Sequence, residues 1–182
     1  MHPGTFHVPS TQRGVTLIEL MITITIGVVL LMLAAPSFRE MTIRGNVKEL
    51  SNALSYSLNT ARSEAVRRGT QVKVLSASGG SSWNSGWSVV ADTAFDGTFA
   101  TTISRQGGAP STYSVCGNTT GGGSSAAVVY NSSGFLSGAT GFDINVNRPD
   151  ADVTRAQHVT VLSNGEIRSQ MNATGSPAAP SC

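Results

Sequence analysis

Glu19 stands near the start of an apolar run, Val15 to Ala35, that is otherwise fit for the middle of a lipid bilayer. An ionised carboxylate in hydrocarbon costs on the order of a few kcal/mol, so a chain retains one there where a cation meets it. The other scarce reactive groups offer little for catalysis. The cysteines are Cys116 and Cys182, and of three histidines His158 alone lies beyond residue 14. A catalytic triad or a zinc site needs more convergent ligands than these supply, and the many serines lie in Gly-rich turns with no base beside them. No enzymatic activity, metal, cofactor or small-molecule substrate is expected. His158 alternates with valines, which places it toward solvent or a neighbouring molecule. Cys182 ends the chain, and a bridge to Cys116 would tie down a fraying tail and contribute roughly 4 kcal/mol in a chain-entropy model. An exported domain meets the oxidising compartment in which such a bridge persists; two unrelated thiols are the alternative.

Periodicity supplies the elements that must carry these groups. Residues 1 to 14 are polar and turn-rich, with Pro3, Gly4 and Pro9, and the run from Val15 to Ala35 has the length of a membrane-spanning helix. A secretory signal peptide has a shorter apolar core, a cleavage site after it, and normally no acid. Beyond Pro36 the pattern stays helical: Val47, Leu50, Leu54, Leu58, Ala61 and Ala65 recur at steps of three and four, with Lys48, Glu49, Ser55, Asn59, Arg62 and Arg67 around the rest of the circumference. Gly69, after Arg67 and Arg68, is a natural helix stop. Pro36 removes one helical hydrogen bond and, with Gly27 and Gly45, marks where the helix is free to bend or break locally.

After Gly69 the period becomes alternating. Residues 71–74, 87–91, 99–104, 112–116, 126–130, 142–146, 157–161 and 166–170 read as short strands separated by Gly-rich turns. Asn164-Gly165 is the clearest hairpin signal, and residues 117–125 read as a mobile loop. The charged fraction of 12% is about half the usual share, and the net charge of +2 singles out no partner.

The polar leader ending in Gly14, followed by Val15-Thr16-Leu17-Ile18-Glu19 and an apolar helix, resembles the class III leader of type IV prepilins and type II secretion pseudopilins. Val15 departs from the usual Phe. The resemblance implies cleavage between Gly14 and Val15 by an inner-membrane prepilin peptidase, and methylation of the new amino terminus at Val15. It also implies that Glu19 fixes axial register by meeting the terminal amine of a neighbouring subunit. Trp83-Asn84-Ser85-Gly86-Trp87-Ser88-Val89-Val90-Ala91-Asp92 and the terminal Ser163-Asn164-Gly165-Glu166-Ile167-Arg168 are similar to segments of the GspH/FimT-type minor pilins, FimU-like subunits included. The two tryptophans are expected to anchor the core.

The implied fold is α+β and type IV pilin-like: a long N-terminal helix, half transmembrane and half amphipathic, packed on a C-terminal antiparallel β-sheet domain. The expected divisions are a leader at 1–14, a transmembrane and assembly helix at 15–36, the amphipathic half at 37–69, and a periplasmic β domain at 70–182. The implied function is that of a minor type IV pilin in a pilus-tip complex that primes assembly for twitching motility. Its partners would be other minor pilins, the major pilin, the inner-membrane assembly platform and the peptidase. It would be anchored once in a bacterial inner membrane and reach the fibre tip on assembly. A minor pseudopilin of a type II secretion system is the alternative. Some family members bind DNA through G-R-x-R, but here Gly165-Glu166-Ile167-Arg168 sets an acid where the first Arg would be. Arg168, with Arg155 and Arg148, is then a weak DNA contact, and nucleic acid is not an expected partner.

Overall fold

A computed structural model describes residues 14–120, 123, 125–138, 141–150 and 152–172, the side chains of Pro36 and Val153 excepted. The leader through residue 13, part of the 117–125 segment, and the tail with Cys182 lie outside the described residues. The chain forms two compact units, Met1–Met41 and Thr42–Cys182.

One helix, α1, runs Leu17–Arg68. It passes through Pro36 without interruption, so the expected break is not there. A proline removes a single backbone donor, and the neighbouring turns carry the helix past it. The stop falls where the sequence placed it: Gly69 adopts φ 66°, and Arg67 and Arg68 of the last turn both hold Glu64.

In the second unit the helical stripe is buried. Val47, Leu54, Leu58, Ala61 and Ala65 lie within the core, with Leu50 packed at its margin. Burying each leucine contributes about 1.5–3 kcal/mol, which holds this part of the helix to the β structure. That structure is two four-stranded antiparallel sheets. The strands are β1 Val72–Ser76, β2 Trp87–Ala91, β3 Thr101–Gln106, β4 Ser114–Thr119, β5 Ala127–Tyr130, β6 Gly141–Asn147, β7 Gln157–Leu162 and β8 Ile167–Met171. One sheet has the order β3-β2-β1-β5 and the other β4-β6-β7-β8. Period-2 alternation turns Val72, Val74, Val89 and Val128 of the first sheet, and Val115, Ile144, Val146, Val159 and Val161 of the second, into the same core. A register shift between Val89 and Val90 lets consecutive residues of β2 be buried.

All eight expected strands are present, with ends displaced by a few residues because pairing partners set where a strand stops. The largest displacement corrects the expected loop at its start. Gly117, Asn118 and Thr119 belong to β4, opposite Ile144, Asp143 and Phe142 of β6. A Cβ on Gly117 would lie 2.5 Å from Trp83 Nε1 and 3.0 Å from Phe142 Cζ. This glycine makes room for an indole; it does not make a turn.

Candidate functional site

The N-terminal unit carries the assembly candidates. Gly14 and Val15 are exposed and precede the first helical turn. Thr16 caps that turn: its Oγ1 accepts from the Glu19 N–H at 3.2 Å and its carbonyl from the Leu20 N–H at 3.1 Å. Thr16-x-x-Glu19 is therefore a capping-box spacing, with Glu19 at the third helical position beside the positive end of the helix dipole. This role of Glu19 was not anticipated, although the spacing signals it. Among the described residues, no hydrogen bond or ion pair engages its carboxylate.

The polar side chains that follow are satisfied within the helix. Thr23 and Thr25 hydroxyls donate to the Leu20 and Met21 carbonyls at 2.9 and 2.7 Å. The large apolar side chains from Val15 to Leu33 are all exposed, and the most apolar stretch has a mean hydropathy of 2.5 with none of it buried. Helix α1 is long and apolar enough to cross a membrane, and exposed side chains of this kind need hydrocarbon or neighbouring helices around them.

In the second unit the tryptophan segment anchors the core as expected. Trp83 and Trp87 are fully buried, their rings 6.4 Å apart, and Trp83 also meets Phe142 of the other sheet at 6.0 Å. The loop ahead of β2 stitches the sheets together: the Trp83 N–H donates to the Val115 carbonyl, the Gly117 N–H to the Ser81 carbonyl, and the Val115 N–H to Asn84 Oδ1. Trp87 reaches the helix, its Nε1 donating to Ser57 Oγ at 2.9 Å. Gly86 allows close approach, since a Cβ there would lie 2.3 Å from the Gln106 carbonyl oxygen. Asp92 closes the segment by accepting the N–H groups of Asp96 and Gly97. Arg62 of α1 adds a clamp that periodicity did not reveal. Its Nε donates to the Gly134 carbonyl and its Nη2 to the Asn164 carbonyl, both at 3.1 Å, which joins a turn after β5 to the β7–β8 hairpin.

The three arginines weighed as DNA contacts each face an acid. Arg148 is a correction: its side chain is 1% exposed and grips Asp150 with two hydrogen bonds of 2.9 and 2.7 Å, so it cannot reach a phosphate. That grip pulls the Asp150 carboxyl down to about 2. Arg168 Nε donates to Glu166 Oε1 at 2.8 Å, and Arg155 lies 3.5 Å from Asp152. His158 lies on the face of β7 opposite the buried valines and is 23% exposed, 3.4 Å from Asp143 Oδ1 and 2.8 Å from Thr160 Oγ1, and its hydrogen bond holds the Asp143 carboxyl below the ordinary range. Cys116 is buried in β4, and its expected partner Cys182 lies outside the described residues.

Two family models match the chain: "Type II transport protein GspH" over residues 50–165, and "Prokaryotic N-terminal methylation motif" over residues 9–35. No curated protein matches it at a significant level. Among solved structures, the type IV minor pilin FimU of Pseudomonas aeruginosa aligns with a TM-score of 0.61 at 19% identity, over 78% of this chain and 98% of that one. The minor pseudopilin EpsH from the type 2 secretion system of Vibrio cholerae aligns with a TM-score of 0.54 at 15% identity, over 69% and 97%. At these identities the likeness establishes the fold. A methylation motif on an exposed apolar helix, and a GspH model spanning well over half the chain, place this protein in the GspH family, with a type IV pilin-like fold.

Proposed function

We propose that this chain is a minor type IV pilin, a subunit of a pilus-tip complex that primes fibre assembly. The observation that carries the reading is the combination on α1 of an exposed apolar first half, headed by Gly14, Val15 and Glu19, with a second half buried in its own β domain. An apolar helix of this length is stable in a bilayer before assembly and among other such helices afterwards. In this reading prepilin peptidase cuts after Gly14 and methylates Val15. The anchored precursor holds its β domain in the periplasm, and Glu19 meets the amine of a neighbouring subunit in the fibre. Other minor pilins, the major pilin and the inner-membrane assembly platform are its partners. Cys116 and Cys182 form a bridge that pins the tail; no described cysteine is a free thiol, which supports it.

The description of the matching family as a type II transport protein favours a second reading, a minor pseudopilin of a secretion fibre with the same membrane chemistry. Deleting the gene separates the two: loss of surface pili and twitching with normal exoprotein release supports the pilus, and the reverse supports secretion. Intact-mass analysis of the chain from peptidase-proficient cells should find a methylated Val15 terminus. Leader retained on the whole population would sink both readings.

A further inference from the structure

A sheet edge is a row of unpaired backbone groups that a further strand can join, and folded proteins cover or blunt such edges. The two sheets have four edges among the described residues, and three are managed. Beyond β4, the Trp83 N–H donates to the Val115 carbonyl and the Gly117 N–H to the Ser81 carbonyl, both at 2.8 Å. Beyond β5, the Ser137 N–H donates to the Val129 carbonyl at 2.8 Å. The edge strand β3 is bulged, since its register with β2 skips Ile103. β8 has none of these devices. It pairs with β7 in unbroken register from Val161–Ile167 to Gln157–Met171, holds no proline, and its one charge, Arg168, is tied to Glu166.

The hydrogen bonds at the two ends of the β7–β8 pair fix which groups are left over. The Leu162 N–H donates to the Glu166 carbonyl at 2.9 Å, and the Asn172 N–H to the Ala156 carbonyl at 3.0 Å. Hydrogen-bonded and non-hydrogen-bonded pairs alternate along an antiparallel ladder, so Arg168 and Gln170 turn their backbone groups to β7, while Ile167, Ser169 and Met171 turn theirs to the open edge. Among the described residues, no hydrogen bond engages the N–H or carbonyl of these last three. The row is roughly 14 Å long at 3.4 Å per residue. Its side chains are sorted as well. Ile167 packs at the margin of the core and Ser169 Oγ meets Ser51 Oγ of α1 at 2.8 Å, so this face of β8 lies toward the helix, with Met171 64% exposed at its end. Arg168 and Gln170 face the other way and are exposed.

We propose that an extended strand of a different fibre subunit adds to β8, pairing with Ile167, Ser169 and Met171. The edge specifies the donor: about five residues without proline, apolar at the alternate positions that continue the Ile167–Met171 row and polar at those beside Arg168 and Gln170. The chain's own segment after β8 does not suit the edge, because Pro177 and Pro180 lack the N–H a ladder needs and a bridge from Cys182 to Cys116 draws it to β4, the far edge of the same sheet. That the donor is a fibre subunit of another kind rests on the minor-subunit reading, in which the exposed apolar half of α1 gathers unlike neighbours around this chain. The open edge itself does not depend on leader cleavage or on Glu19.

The test uses the full-length chain in its native cells, with the photoreactive residue p-benzoylphenylalanine in place of exposed Gln170, whose backbone groups serve β7 and are unchanged. Irradiation should give one main adduct, which mass spectrometry places on a short segment of a different protein that itself carries an N-terminal methylation motif. Ser169→Pro removes one open-edge N–H and leaves the ladder to β7 intact, so it should cut the adduct at least about tenfold; Ser169→Ala loses the same hydroxyl, keeps the N–H, and should retain most of it. Met171→Pro against Met171→Ala repeats the comparison at the strand end, should the central proline lower the melting temperature. Hydrogen exchange on the full-length chain, purified alone and with the subunit it captures, gives a second reading. The amides of Ile167, Ser169 and Met171 should slow at least about tenfold in the complex, while those of Arg168 and Gln170 are slow in both. No adduct, proline variants that fold and cross-link as well as their alanine controls, or unchanged exchange at the three open amides would each overturn the proposal. So would an adduct confined to residues 173–182 of this chain, to a second copy, or to a protein without the methylation motif. A proline-sensitive adduct that persists on a chain with its leader uncut would leave the strand addition standing while the fibre-subunit reading failed.

Discussion

Two physical roles converge on Glu19, and one substitution separates them. As the third residue of a helix capped by Thr16, its carboxylate interacts with the helix dipole, an effect of about 0.3–1 kcal/mol. As a register pin it pairs with a cation in an apolar surround, where losing the charge leaves that cation unmatched at a cost on the order of 3 kcal/mol. Glu19→Gln keeps the size and, because glutamine also serves in the capping box, keeps the cap while removing the charge. If the cap were the whole role, incorporation into fibres should fall by no more than about fivefold; loss of the ion pair should reduce it more than about 100-fold. Thr16→Val is the reciprocal variant. It removes the capping oxygen at about 1 kcal/mol, roughly a fivefold effect, and leaves the carboxylate. The assay compares the tagged full-length chain in sheared surface fibres with that in the membrane, after mass spectrometry has verified that each variant matures. Near-parental incorporation of Glu19→Gln, with Thr16→Val equally mild, would refute the ion-pair argument and leave Glu19 as a helix cap.

Three further outcomes test the domain itself. Ser57→Ala orphans the buried Trp87 N–H and should cost about 1–3 kcal/mol, or several degrees of melting temperature; combined with Trp87→Phe, the loss should fall short of the sum by about 1 kcal/mol. Gly165→Ala would put a Cβ 2.0 Å from the Gly134 carbonyl oxygen at φ 78°, and a loss of at least about 2 kcal/mol is expected by chemical denaturation; a smaller loss would mean the two turns are free to separate. Glu64 is drawn down to about 2 by its hydrogen bonds to Arg67 and Arg68. A carboxyl lowered on folding stabilises the fold above its unfolded value of roughly 4.3 and loses that contribution as pH falls toward 2. For this surface cluster the amount is about 1 kcal/mol after screening, so a melting-temperature series from pH 6 to pH 2.5 should be flatter in Glu64→Gln. An identical slope would place the acid sensitivity elsewhere.

The features legible in the sequence are those that short-range pattern controls. The helical stripe from Val47 to Ala65 is buried as its spacing required, Gly69 ends the helix, and Asn164-Gly165 forms the turn between β7 and β8. The tryptophan segment was legible as core, and the structure supplies the separate task of each residue: Trp83 joins the sheets, Gly86 permits close approach, Trp87 reaches the helix, and Asp92 braces the turn after β2. Pro36 does not interrupt the helix, because the turns on either side sustain it past the one missing donor. Arg148 was misread because its place in the sequence does not reveal that its side chain is buried against Asp150.

By itself the sequence determined the membrane-length apolar helix, its amphipathic continuation and the eight strands, because periods of 3.6 and 2 are properties of neighbouring residues along one chain. Only the tertiary structure decided that the strands divide into two sheets, with β1 between β2 and β5 and with β6 between β4 and β7. It also decided that Gly117 yields its place to Trp83. Strand partners and side-chain neighbours far apart along the chain are chosen by packing and by the satisfaction of buried polar groups. Those terms exist only once the whole core has closed.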